Sequence, residues 1–82
     1  MSDVGSARKI KDQVKMAIAG EPWLVGMGVE REDGIGFIVR LTVKHGTAND
    51  ARAKVTEALG ATPAENAAVR INGVFVKIVE GD

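Results

Sequence analysis

The sequence contains no cysteine and no tyrosine, and its aromatic residues are one tryptophan and two phenylalanines. The absence of cysteine excludes a disulfide framework and thiolate zinc sites, and it is compatible with a reducing cytoplasm. Eleven basic and eleven acidic residues cancel, so no overall charge draws the chain to nucleic acid or anionic lipid. No apolar run approaches the roughly 18 residues of a membrane span, and no basic-then-apolar leader follows Met1. We therefore expect a soluble, cytoplasmic protein that does not associate with membranes.

Patterns that carry catalysis or bind cofactors are also missing. Both serines, Ser2 and Ser6, lie in or beside the N-terminal tail, and no recognisable spacing pairs a threonine with His45, the single histidine. One histidine without cysteine cannot form a usual structural zinc site. The glycines between residues 26 and 36 do not open a helix, as those of a phosphate-binding loop do. We expect no catalytic residue, no cofactor and no metal, and hence a protein that is not an enzyme; an uncharacterised enzyme is the least favoured alternative.

What the sequence does contain is a β-hairpin pattern over residues 23–44. Side chains alternate along a strand, and each arm of this segment has an apolar face. Between the arms, Asp33-Gly34 suits a turn that needs positive φ, and Gly36 could add a bulge, so the register stays open by a residue or two. The predicted core positions of the hairpin are Trp23, Val25, Met27, Val29, Phe37, Val39, Leu41 and Val43.

Two segments repeat apolar residues at helical spacing. The first begins at about Ser6, a possible N-cap, and ends at Gly20. The second follows Thr47, which resembles a capping box with Asp50, and ends at Gly60. The predicted inward positions are Ala7, Ile10, Val14, Ala17 and Ile18 in the first helix, and Ala48, Ala51, Val55, Ala58 and Leu59 in the second.

After a connection over residues 61–68, one last extended region runs over residues 69–79, with a turn or bulge at Asn72-Gly73. We predict an α+β fold with the order α-β-β-α-β, in which both helices cover one face of a three-stranded mixed sheet. The last strand can lie beside the first or beside the second, and we favour the spatial order 2-1-3. Residues 1–5 are expected to be a flexible tail, and residues 6–80 a single two-layer domain.

The predicted fold leaves the other sheet face open. Glycines in a strand often mark a close approach of another backbone or a ligand, and an uncovered face with apolar edges suits docking of a partner protein or a second copy. The alternative is a solvated face whose glycines serve twist or a bulge. The candidate protein-interaction residues are Gly26, Gly28, Ile38, Arg40, Phe75, Lys77 and Val79.

Several of these segments resemble a known domain. The residues that carry the resemblance are Val25-Gly26-Met27-Gly28-Val29, then Asp33-Gly34 followed by an alternating strand to Val43, and residues 71–79, Ile-Asn-Gly-Val-Phe-Val-Lys-Ile-Val. Over roughly residues 24–81 the chain resembles the small α/β domain of unknown function found before trypsin-like serine proteases in some bacterial proteins, and its short standalone relatives. The resemblance implies a bacterial source, an α/β fold and a non-catalytic role.

Two binding hypotheses follow. In the first, a protein-interaction module uses the open face, with Ile38 and Phe75 as apolar anchors and Arg40 and Lys77 as the polar rim. In the second, the basic side of the first helix contacts the phosphates of a nucleic acid. This hypothesis is less favoured, because proteins that bind single strands generally need several stacking aromatic residues. The candidate phosphate-contacting residues are Arg8, Lys9, Lys11 and Lys15.

Overall fold

A computed structural model describes residues 3–64 and 68–81. Within them the chain forms two helices and five strands in the order α-β-β-α-β-β-β. The helices are α1 (Val4–Ile18) and α2 (Ala48–Leu59), and the strands are β1 (Leu24–Glu32), β2 (Gly36–Val43), β3 (Thr62–Pro63), β4 (Val69–Ile71) and β5 (Val74–Glu80). The α+β class, the two helices and the mixed sheet are confirmed, but the prediction of three strands is wrong.

Helix α1 begins earlier than predicted. Its N-cap is Asp3, whose carboxylate accepts a hydrogen bond from the Ser6 backbone N–H at 2.7 Å, so Ser6 is not the cap. This backbone hydrogen bond is the main reason that the pKa of Asp3 lies below its ordinary value. The predicted tail of residues 1–5 therefore overlaps the helix, while residues 1–2 fall outside the described part.

The five strands form one sheet in the spatial order β1-β2-β5-β4-β3. The neighbours β2 and β5 are parallel, and the other neighbouring pairs are antiparallel. The favoured order 2-1-3 is thus wrong, because the last long strand lies beside the second strand and not beside the first. Helix α1 packs over β1 and β2, whereas α2 packs over β5 and β4. Placing β5 beside β2 extends the sheet under α2, so each helix covers its own strands.

The last extended region is divided by a two-residue turn. Asn72 and Gly73 both have positive φ, at 49° and 81°, which is the backbone that a tight hairpin turn requires. The turn brings Ile71 opposite Val74 and Arg70 opposite Phe75. One predicted strand therefore becomes the hairpin β4–β5, and the short edge strand β3 adds to it from the predicted connection.

The core lies between the helices and one sheet face. It contains Val39, Leu41 and Val43 of β2, Val74, Val76 and Ile78 of β5, and Trp23, while Phe37 is partly buried against it. Two positions differ from the prediction. Successive ladder partners are Leu24 with Val43 and Gly26 with Thr42, so Val25 is the extra residue of a bulge. Consequently Leu24 packs against the core and Val25 is exposed. Ala58 in α2 is also exposed, not buried.

Candidate functional site

The sheet face opposite the helices contains a groove of about 470 Å³ at the end nearest the β1–β2 turn. Its apolar part comes from β2, β5, the turn and the segment around β3, and its polar part from three charged side chains. The lining residues are Glu32, Ile35, Ile38, Pro63, Ala64, Ala68, Arg70, Phe75 and Lys77. Three of the predicted interaction residues, Ile38, Phe75 and Lys77, are therefore brought together in one concavity.

The two predicted anchors of this groove differ in exposure. Ile38 is 1% exposed, although it stands outside the main core cluster beneath the helices. It therefore forms the floor of the groove and does not protrude as an anchor. Phe75 is only partly buried, so its ring still has surface to offer. The strands fix both positions, which gives a docked group a rigid base.

The remaining predicted residues extend the same face toward the other end of the sheet. The ladder sets Gly28 beside Arg40 and Arg40 beside Lys77, and in the next row it sets Gly26 beside Thr42 and Thr42 beside Val79. All seven predicted interaction residues consequently share one face, but only three of them line the groove.

Charged side chains on this face form two exposed ion pairs. The Arg40 guanidinium lies 3.3 Å from the Glu30 carboxylate, and the Lys77 ammonium lies 3.8 Å from that of Glu32. Exposed pairs of this kind contribute little to stability, about 0–1 kcal/mol each. Their main effect is to compensate two of the positive charges on the face.

Arg70 is a groove residue that the sequence analysis missed. Its guanidinium carbon lies 4.4 Å from the centre of the Phe75 ring, a distance at which a cation is attracted to an aromatic face. The signal was in the sequence: a two-residue turn at Asn72-Gly73 places Arg70 directly opposite Phe75. The predicted single extended region, with a turn or bulge at these residues, does not include this pairing.

Neither glycine of β1 is required by the protein's own conformation or packing. Gly26 and Gly28 have φ values outside the left-handed region, and a Cβ added at either would meet no atom within 4 Å. The open face therefore has a strip of uncovered backbone along β1, where residues with larger side chains would fit in place of the two glycines.

The basic residues of α1 lie on the other side of the sheet. Arg8, Lys9 and Lys15 are exposed and Lys11 is half-buried. Lys11 and Lys15 border a shallow depression of about 220 Å³ at the β1 edge, next to Leu24, Gly26 and Met27. Because α1 packs on the core face, these cations do not join Arg40 and Lys77 in one surface.

His45 lies at the far end of the sheet from the groove. Its imidazole is 3.6 Å from the Glu80 carboxylate, which also accepts the N–H of Ala48 at the start of α2, at 3.2 Å. The hydrogen bond from Ala48 is the main cause of a pKa for Glu80 below its ordinary value, with further contributions from Gly46 and His45. Thr47, the predicted cap, instead donates its hydroxyl to the Lys44 carbonyl.

Within residues 3–64 and 68–81, no group of three or more acidic or histidine side chains is arranged to hold a metal ion. None of the helices in the described part is long and apolar enough to cross a membrane.

Comparison with known proteins returned no match: no family model, no curated protein and no solved structure is similar to this chain. The resemblance to the domain found before trypsin-like proteases therefore stays a prediction.

Proposed function

We propose that this protein is a small non-catalytic interaction module that docks a partner protein on its open sheet face. The observation that carries the proposal is the groove of about 470 Å³, with the ring of Phe75 half-buried in its wall. Partly exposed aromatic side chains in concave, rigid surroundings contribute much of the binding energy in protein interfaces. A cytoplasmic location is also part of this proposal, because a chain without cysteine is compatible with a reducing compartment.

The volume of the groove supports docking of a side chain of the partner. Concave binding sites typically measure about 300–1,000 Å³, so this groove can accept one or two bulky apolar side chains. Ile38 supplies a buried floor beneath them, while Lys77 and Glu32 border the opening. Such a group would cover the exposed part of the Phe75 ring and remove apolar surface from water.

The bare strip at Gly26 and Gly28 gives independent support. A glycine inside a strand costs roughly 0.5–1 kcal/mol relative to alanine, and neither position has a backbone angle or a neighbour that requires it. A partner backbone passing close to β1 is a physical reason to keep both residues without side chains.

The proposal is tested by site-specific photo-crosslinking in lysate of the native source. Incorporation of p-benzoylphenylalanine at position 75 is expected to yield a defined crosslinked protein. The matched control places the same residue at position 16 on α1, since Met16 is 83% exposed and lies away from the sheet face. Nuclease treatment should leave the crosslink unchanged.

A Phe75→Glu variant completes the test. It should keep the circular dichroism spectrum of the unmodified protein and lose the partner, because a carboxylate in the groove opposes apolar docking. Met16→Glu should retain the partner. Identical crosslinks from positions 75 and 16, or full binding by Phe75→Glu, would contradict docking on this face. A crosslink to a second copy would identify self-association.

The basic side of α1 remains the second candidate. Among the described residues, Arg8, Lys9, Lys11 and Lys15 form no ion pair, so their charges are available to phosphate. If nucleic acid is the partner, Lys9→Glu with Lys11→Glu should weaken binding, and binding should fall steeply as salt is raised. Phe75→Glu should then have no effect.

A further inference from the structure

Arg70 differs from the other cations on the open face. Arg40 and Lys77 each have a glutamate partner, at 3.3 and 3.8 Å. Across residues 3–64 and 68–81, no carboxylate lies within ion-pair distance of Arg70. Among the described residues, Arg70 is therefore an uncompensated positive charge in the wall of the groove, directly beside its aromatic side chain.

The position of this guanidinium suits recognition of a carboxylate. Arg70 is exposed and lies against the Phe75 ring, 4.4 Å from its centre. Stacking limits the motion of the side chain while the N–H groups around the guanidinium edge remain available as donors. A carboxylate can accept two of them in a bidentate pair, which is stronger and more directional than a neutral hydrogen bond.

We propose that the groove takes a segment of a partner protein in which a bulky apolar side chain stands next to an aspartate or glutamate. The apolar side chain packs on Ile38 and Phe75, and the carboxylate pairs with Arg70. This inference rests on the proposed docking function and specifies the chemistry of its partner. On the opposite side of the groove Lys77 is already paired with Glu32, so the described lining residues offer a free cation at Arg70 alone, which favours one orientation of the segment.

The experiment is an NMR titration of the ¹⁵N-labelled 82-residue chain with three peptides. The probes are acetyl-Ala-Leu-Asp-Leu-Ala-amide and its analogues with asparagine or lysine in the centre. Leucine on both sides of the central residue allows either direction of binding. We expect shift changes centred on Ile38, Arg70 and Phe75, and affinity for the aspartate peptide about tenfold higher than for the asparagine peptide, equivalent to about 1.4 kcal/mol.

Two variants localise the effect. Arg70→Gln should reduce binding of the aspartate peptide to the level of the asparagine peptide, and Arg70→Lys should restore part of the difference. Arg52→Gln is the matched control, because it also removes one arginine charge but lies on α2, on the other side of the sheet from the groove. Raising the salt concentration should narrow the difference between the two peptides.

The outcomes separate this inference from the proposed function. Equal binding of the aspartate and asparagine peptides in the groove would overturn the role of Arg70 and leave apolar docking in place. Shift changes only outside the groove, or no shift changes with any peptide, would also overturn the proposed recognition of an acidic segment. The docking function would then still be decided by crosslinking from position 75. Preference for the lysine peptide would reverse the assigned charge of the partner.

Discussion

Replacing Gly28 with alanine should stabilise the protein, although this residue lies in the middle of a strand. Its φ is outside the left-handed region, and a Cβ at this position meets nothing within 4 Å, so alanine fits without strain. The substitution reduces the conformational freedom of the unfolded chain. We expect a gain of about 0.5–1 kcal/mol in the free energy of unfolding, or roughly 2–8 °C in Tm for a domain of this size.

The gain is measured by urea and thermal unfolding monitored by circular dichroism. Gly60→Ala is the matched control: its Cβ site is equally empty, but its φ of 64° lies in the left-handed region. Alanine there should cost about 1 kcal/mol or more. The pair therefore separates backbone conformation from packing, because only the former differs between the two sites.

A lower Tm for Gly28→Ala would refute the reasoning, since it would mean that the glycine serves the folded chain itself. A higher Tm combined with weaker binding of the crosslinked partner is the expected result. It would show that a stabilising side chain at this position interferes with docking.

The remaining predictions concern the interior, one turn and one carboxylate. Val55→Ala should lower the free energy of unfolding by about 2 kcal/mol, because Val55 is fully buried and the substitution leaves a cavity. Ala58→Ser on the exposed side of α2 should change the free energy of unfolding by less than about 0.5 kcal/mol. Asn72→Ala should cost about 1 kcal/mol and Asn72→Gly almost nothing, because at the φ of 49° asparagine is tolerated through local hydrogen bonding of its side chain and glycine has no Cβ, whereas alanine has neither advantage; equal urea midpoints would contradict this. For Glu80, whose pKa is lowered mainly by the Ala48 N–H, stabilisation is present above the ordinary carboxyl pKa and is lost as pH falls through the lowered one. Below the ordinary glutamate pKa of about 4.3, Glu80→Gln should therefore show a shallower loss of stability with falling pH than the unmodified protein, and parallel curves would exclude this contribution.

Alternation and turn residues predicted most of the β1–β2 hairpin and the buried faces of β2 and β5. They failed at the bulge, where Leu24 and Val25 are both apolar and a period of two cannot distinguish which one faces the core. They also failed at the strand order. The choice between a position beside β1 and one beside β2 depends on which strands each helix covers, and that packing is not encoded in any local pattern.

In the candidate site, too, the features that depend on one strand were predictable and those that depend on packing between strands were not. Alternation predicted that Ile38, Phe75 and Lys77 share a face, because each position follows from one strand alone. The exposure of Ile38 was not predictable, since neighbouring strands and the turn bury it to 1%. The position of Arg70 beside Phe75 depends on pairing between two strands. It can be predicted only if Asn72-Gly73 is interpreted as a complete hairpin turn.

The hydrogen bond from the Ala48 N–H to Glu80 spans 32 residues of sequence, and it has a consequence for the order of folding. Thr47 does not supply a side-chain cap, so the Ala48 N–H at the start of α2 obtains its carboxylate acceptor only when the end of β5 reaches the sheet. Helix α2 is then poorly anchored in any intermediate that lacks β5. We expect the amides of α2 and β5 to exchange their hydrogens with similar opening free energies, as parts of one cooperative unit.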